Sequence, residues 1–75
     1  MNIEKKMYIE AYEMIVEKYS NRVLDNMAWE QLSQELPYIC NKYKNSLWQG
    51  LVLTSVDYLD IKRKHLLKQS NNIEN

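Results

Sequence analysis

One histidine and one cysteine are the entire imidazole and thiol inventory of this 75-residue chain. Thiol-based nucleophilic catalysis needs a nucleophile, a base and an orienting group held together, so Cys40 with His65 is the single pairing the composition allows. Nothing in the sequence brings the two together: His65 stands among Lys62, Arg63, Lys64 and Lys68, and Cys40 reads as a small buried hydrophobe. Metal chemistry lacks its usual spacing as well. Asp57 and Asp60 sit three apart without further ligands, and Gly50 is the one glycine, so no phosphate-cradling loop can form. No catalytic residue, metal site or cofactor is assigned, and the chain is read as a non-enzyme.

Three other sets of residues can act on a partner. Glu10, Glu13 and Glu17 make a carboxylate row, with steps of about 4.5 and 6 Å along a helix axis, able to imitate a phosphate track in a basic groove. Lys62, Arg63 and Lys64, with Lys42, Tyr43 and Lys44, make a cationic set with an interleaved aromatic, able to hold phosphates and stack a base. Cations near a helix C-terminus are also what the helix dipole favours in proteins that never meet nucleic acid. Ser46, Gly50 and Thr54, four apart, form a strip of small side chains; a mid-helix glycine costs about 1 kcal/mol against alanine, so the strip is expected to be a helix crossing or a dimer contact.

Periodicity supplies the elements that must carry these sets. From Ile3 to Tyr19 the apolar positions Met7, Tyr8, Ala11, Tyr12, Ile15, Val16 and Tyr19 recur at three and four residues, which predicts an amphipathic helix with the glutamates facing water. Asp25 or Asn26 caps a second helix with the stripe Leu24, Ala28, Leu32 and Leu36, continuing through Ile39 and Tyr43. Pro37 predicts a kink, or a fresh short helix to about Lys44. Ser46 to Gln69 reads as one long helix started by a Ser46–Gln49 capping box. Its first half is apolar nearly all round, through Leu47, Trp48, Leu51, Val52, Leu53, Val56, Leu59 and Ile61, and is expected to be largely buried. Residues 70–75 have no apolar face and are expected to fray. The fold class is therefore all-α, a small bundle of three or four helices with a long C-terminal helix, in one domain over residues 1–69.

Composition narrows the function classes. A core this small gives only about 3–5 kcal/mol, and one cysteine allows no internal disulfide, so a second copy is expected to help: a homodimer. No strictly apolar run exceeds three residues, Leu51-Val52-Leu53 among them, which excludes a membrane span and points to a cytoplasmic protein in a bacterial cell. Ten basic and ten acidic residues cancel, but residues 1–36 hold seven acids against four bases and residues 37–75 three against six. Asn, Ile, Lys and Tyr supply 28 residues, against six for Gly, Ala, Pro and Arg together, the usage of an A/T-rich genome such as a low-GC bacterium, its plasmids or its phages. Gln31-Leu32-Ser33 is similar to the opening of the short peptide that docks on bacterial sliding clamps. Gln34 and Glu35 stand where a leucine and an aromatic should follow, so no family is assigned.

The leading expectation is a non-catalytic helical protein-binding module, of the kind a phage or mobile element uses to inhibit or modulate a host machine in replication, transcription or defence. Glu10, Glu13 and Glu17 would dock it electrostatically, and exposed Tyr and Trp residues would anchor it. The alternatives are a small DNA-binding regulator that uses the cationic set, and a structural homo-oligomer.

Overall fold

The computed structural model describes the backbone of residues 2–74 and the side chains of residues 2–69. Over that range the chain is all-helical, with three α-helices: α1 (Ile3–Ala11), α2 (Asn26–Cys40) and α3 (Ser46–Glu74). A π-helical segment, Tyr12–Glu17, prolongs α1, and a short 3-10 turn, Ser20–Arg22, leads towards α2. Contrary to the expected end at Gln69 with residues 70–75 frayed, the backbone of α3 is helical to Glu74; the side chains of residues 70–74 and all of Asn75 lie outside the described residues.

Each α-helix begins on an Asn or Asp whose side-chain oxygen takes an otherwise orphaned amide. Asn2 accepts from Lys5 N at 2.8 Å, Asp25 from Met27 N at 2.9 Å and Asn45 from Leu47 N at 2.7 Å. The cap of α3 is therefore Asn45 and not Ser46. With Asn45 as the cap, Trp48 takes the third helical position and a Ser46–Gln49 box cannot close; Gln49 instead donates to the Cys40 carbonyl at 3.3 Å.

The π-helical segment has a packing cause. The buried residues of the first helix are Met7, Ala11, Ile15 and Tyr19, each four apart. In an α-helix four residues overshoot one turn by about 40°, so such a row drifts off the core within a few turns. A π turn holds more residues than an α turn and rotates the row back, which returns Ile15 and Tyr19 to the line of Met7 and Ala11. The buried stripe is thus narrower than the apolar pattern suggests. Tyr8 and Tyr12 are left more than half exposed.

In α2 the inward row is Ala28, Leu32 and Ile39, with Leu36 half-buried. Val23, not Leu24, fills the core ahead of it. Pro37 opens no separate helix: α2 runs through it to Cys40, and residues 43–45 are not helical. Tolerance has a local reason. The missing Pro37 amide leaves the Ser33 carbonyl without its helical donor, and both residues lie on the exposed side, where water can take the bond. Leu32, the middle of the clamp-like tripeptide, is buried on this helix and unavailable as an extended peptide.

Side-chain contacts fix the directions of the helices. Glu10 meets Tyr43 and Lys18 meets Glu35, so the first helix runs antiparallel to α2. Trp48 reaches Ile39 and Arg63 reaches Asn26, so α3 runs antiparallel to α2 as well. At 29 residues and about 43 Å, α3 supplies the long axis of a molecule measuring 49 × 21 × 17 Å. Trp48, Val52 and Leu59 point from it into one core shared with α1 and α2. Contrary to the expectation from its apolar pattern, α3 is not covered nearly all round. Leu53 and Ile61 are each 65% exposed, because two neighbours cover only one side of the helix. Among the described residues no helix is long and apolar enough to cross a membrane.

Candidate interaction surfaces

Cys40 is half-buried beside Gln49, whereas His65 lies sixteen residues, about 24 Å, further along α3. The one Cys/His pairing is not assembled. Asp60 holds Lys64 at 2.9 Å, Asp57 is exposed, and among the described residues no group of three or more His, Cys, Asp or Glu is placed to hold a metal ion.

The carboxylate row divides. Glu13 and Glu17 face solvent as expected, but Glu10 does not. Its carboxylate accepts the Tyr43 hydroxyl at 2.7 Å and lies 3.4 Å from Lys42 Nζ. Tyr43 in turn sets its ring edge-on to Trp48, with centroids 5.0 Å apart. The Tyr43 hydrogen bond, followed by the Lys42 charge, holds the Glu10 carboxyl below its ordinary value, and the same bond pushes the Tyr43 hydroxyl up. Glu10 is thus an internal latch between the first helix and the α2–α3 connection. Sequence spacing could not find it, because the partners are 33 residues apart.

That latch also divides the cationic set. Lys42 and Tyr43 are engaged by Glu10 at one end of α3, while Lys62, Arg63 and Lys64 lie at the other, Lys62 some 24 Å beyond Ser46. No single site contains both groups. The far end gains a member that the sequence reading missed, Arg22, on the turn before α2. Arg22 and Lys18 flank the Tyr19 ring at 5.9 and 5.5 Å, Arg63 lies 5.7 Å over Trp29, and Lys62 donates to Ser20 Oγ at 2.7 Å. An open cleft of about 240 Å³ beside Lys62 is lined by Ser20, Asn21, Val23, Leu24 and Leu66. An ammonium can only donate to the serine, so the contact is not a nucleophile and its base.

Aromatic anchors also sort themselves. Both tryptophans turn inward: Trp48 is fully buried and donates to the Ile39 carbonyl at 2.7 Å, and Trp29 donates to Val23 O at 2.6 Å. Tyr19 is buried with its hydroxyl unpartnered among the described residues, and burial pushes that hydroxyl up. Tyr8, Tyr12, Tyr38 and Tyr58 remain exposed, on three different helices.

The small-residue strip faces solvent. Ser46, Gly50 and Thr54 are exposed, and a Cβ added at Gly50 would meet nothing within 4 Å, so Gly50 is not a crossing point within the fold. Further along the same exposed side of α3 stand Leu53, Tyr58 and Ile61, interspersed with Thr54, Asp57 and Lys64.

No known relative supplies a role for any of these surfaces. No family model, no curated protein and no solved structure matches the chain.

Proposed function

We propose that the chain is a non-catalytic helical protein-binding module whose contact surface is the outer face of α3. One observation carries this reading: Leu53 and Ile61, each 65% exposed, and Tyr58, 47% exposed, lie on a helix whose opposite side holds the centre of the core. Monomeric proteins rarely leave such side chains together in water unless a partner covers them. Glu13 and Glu17 supply the electrostatic steering first assigned to three glutamates, with Glu10 now a structural residue. The A/T-rich residue usage supports a phage or mobile element as the source, with modulation of a host machine as the role.

The test is a Leu53→Glu/Ile61→Glu variant, since both sites are exposed and should fold unchanged. Chemical cross-linking in a nuclease-treated low-GC bacterial lysate should capture partners with the wild type and lose them with the variant, at equal helicity and Tm. Equal capture by both would overturn the assignment of this face.

A second reading, nucleic-acid binding, is favoured by one observation: Arg22, Lys62 and Arg63 gather at one end, and neither Lys62 nor Arg63 holds a carboxylate among the described residues. Neutralising Lys62, Arg63 and Lys64 should then abolish a mobility shift and flatten its salt dependence. Reversal of Glu13 and Glu17 to Lys should leave the shift intact.

A further inference from the structure

We infer that the occupant of the α3 outer face is a second copy of this chain, laid antiparallel across it with Ile61 beside the two-fold axis. The inference rests on the reading of that face as a contact surface and puts a second copy, rather than a host protein, on it; host contact then falls to the dimer's remaining surface, Glu13 and Glu17 included. Its ground is a self-complementary order of exposed side chains. Leu53, Asp57, Tyr58, Ile61, Lys64, His65 and Leu67 are all exposed on α3.

Asp57 and Lys64 are seven residues apart, as are Tyr58 and His65, while Leu53 and Leu67 are fourteen apart. Seven residues are nearly two turns, so the members of each pair share an edge of the face to within about 20–40°. A two-fold axis perpendicular to the helix preserves the edge and reverses the order along it. A residue therefore meets its pair-mate from the other copy when the axis passes midway between the two. The midpoints fall at position 60 for Leu53 and Leu67, at 60.5 for Asp57 and Lys64 and at 61.5 for Tyr58 and His65, a spread of about 2 Å along the axis. One register thus sets Ile61 against Ile61, Leu53 against the partner's Leu67, Tyr58 beside the partner's His65 and Asp57 opposite the partner's Lys64.

Parallel packing would set Asp57 on Asp57 and Lys64 on Lys64, like charge on like. Antiparallel packing gives two opposite-charge contacts around a central apolar one. Lys64 also lies against Asp60 of its own chain at 2.9 Å, about 100° round the helix from Ile61, so the partner's Asp57 would share an ammonium that already has one carboxylate.

Light scattering and sedimentation equilibrium over a hundredfold dilution should give twice the 9.1 kDa chain mass at high concentration and the chain mass at low. Ile61→Glu should remove the dimer and leave helicity unchanged. Asp57→Lys and Lys64→Asp should each weaken it about tenfold, and the two together should restore it to near the wild type. A wild type that stays monomeric throughout overturns the inference, as does a dimer indifferent to Ile61→Glu. Singles that weaken without rescue in the double variant overturn the antiparallel register. If the protein is monomeric while Leu53→Glu/Ile61→Glu still abolishes capture of a different protein, self-pairing fails and the α3 contact face stands.

Discussion

Tyr43 shows how a residue read as a base-stacking aromatic becomes a joint. Its hydroxyl occupies the Glu10 carboxylate and its ring the edge of Trp48. Tyr43→Phe should therefore raise the Glu10 pKa towards its ordinary value, with a lower Tm; NMR titration of the Glu10 side chain would show it. An unmoved Glu10 would mean that Lys42 alone sets its charge. Leu59 and Ile61 give a second contrast, two positions apart on one helix. Leu59 is fully buried and Ile61 is 65% exposed. In urea melts of dilute protein, Leu59→Ala should cost about 2–5 kcal/mol and Ile61→Ala less than about 0.5 kcal/mol. Leu51, on the same apolar run, is only half-buried and should fall between them.

Helix geometry makes its own predictions. If the π-helical segment exists to realign a row of four-residue steps, deleting exposed Glu13 should convert the row to the α spacing of four, three and four residues. The shortened protein should keep its fold to within about 1 kcal/mol. Deleting Glu30 from α2 should instead rotate Leu32 and Ile39 by about 100° and unfold the chain. Circular dichroism and thermal melts of the two deletions distinguish the outcomes, and equal damage would remove the packing account of the π turn. On α3, Gly50→Ala should stabilise by about 0.5–1 kcal/mol, because the added methyl meets nothing and the unfolded chain loses freedom. Destabilisation in dilute solution would overturn the open space at Gly50, whereas a loss seen only at high concentration would place Gly50 in a contact between copies.

Across the whole molecule, charge is held by tertiary pairing as much as by chain segment. The Lys18 partner keeps the Glu35 carboxyl below its ordinary value, as Tyr43 and Lys42 do for Glu10. Groups lowered on folding stabilise above their unfolded values and lose that contribution as pH falls through the carboxylate range. Lys18, Tyr19 and Tyr43 are raised, so their contribution is complete below about pH 10 and is lost above it. Tm measured by circular dichroism should therefore be flat between about pH 5 and 9 and drop at both ends. A Tm that holds at about pH 3 would show that these pairs contribute little.

Helical class, the inward residues Met7, Ala11, Ile15, Leu32, Trp48 and Leu59, and the long span of α3 were legible in the chain, because apolar spacing and helix rise are local properties. The Asn45 cap is local as well, since an asparagine directly before Ser46 offers an oxygen to the same first-turn amides. Which apolar residues of α3 stay wet was decided only by tertiary structure, since two neighbours cover one side of a cylinder and periodicity does not count neighbours. The same holds for the carboxylate row and the cationic set. Glu10 finds Tyr43 and Lys42, Lys18 finds Glu35, Lys62 finds Ser20 and Arg63 finds Asn26 through space, over separations at which no helical spacing rule operates. Charge on a sequence says what a side chain carries; only packing says which charges face water and which are already answered.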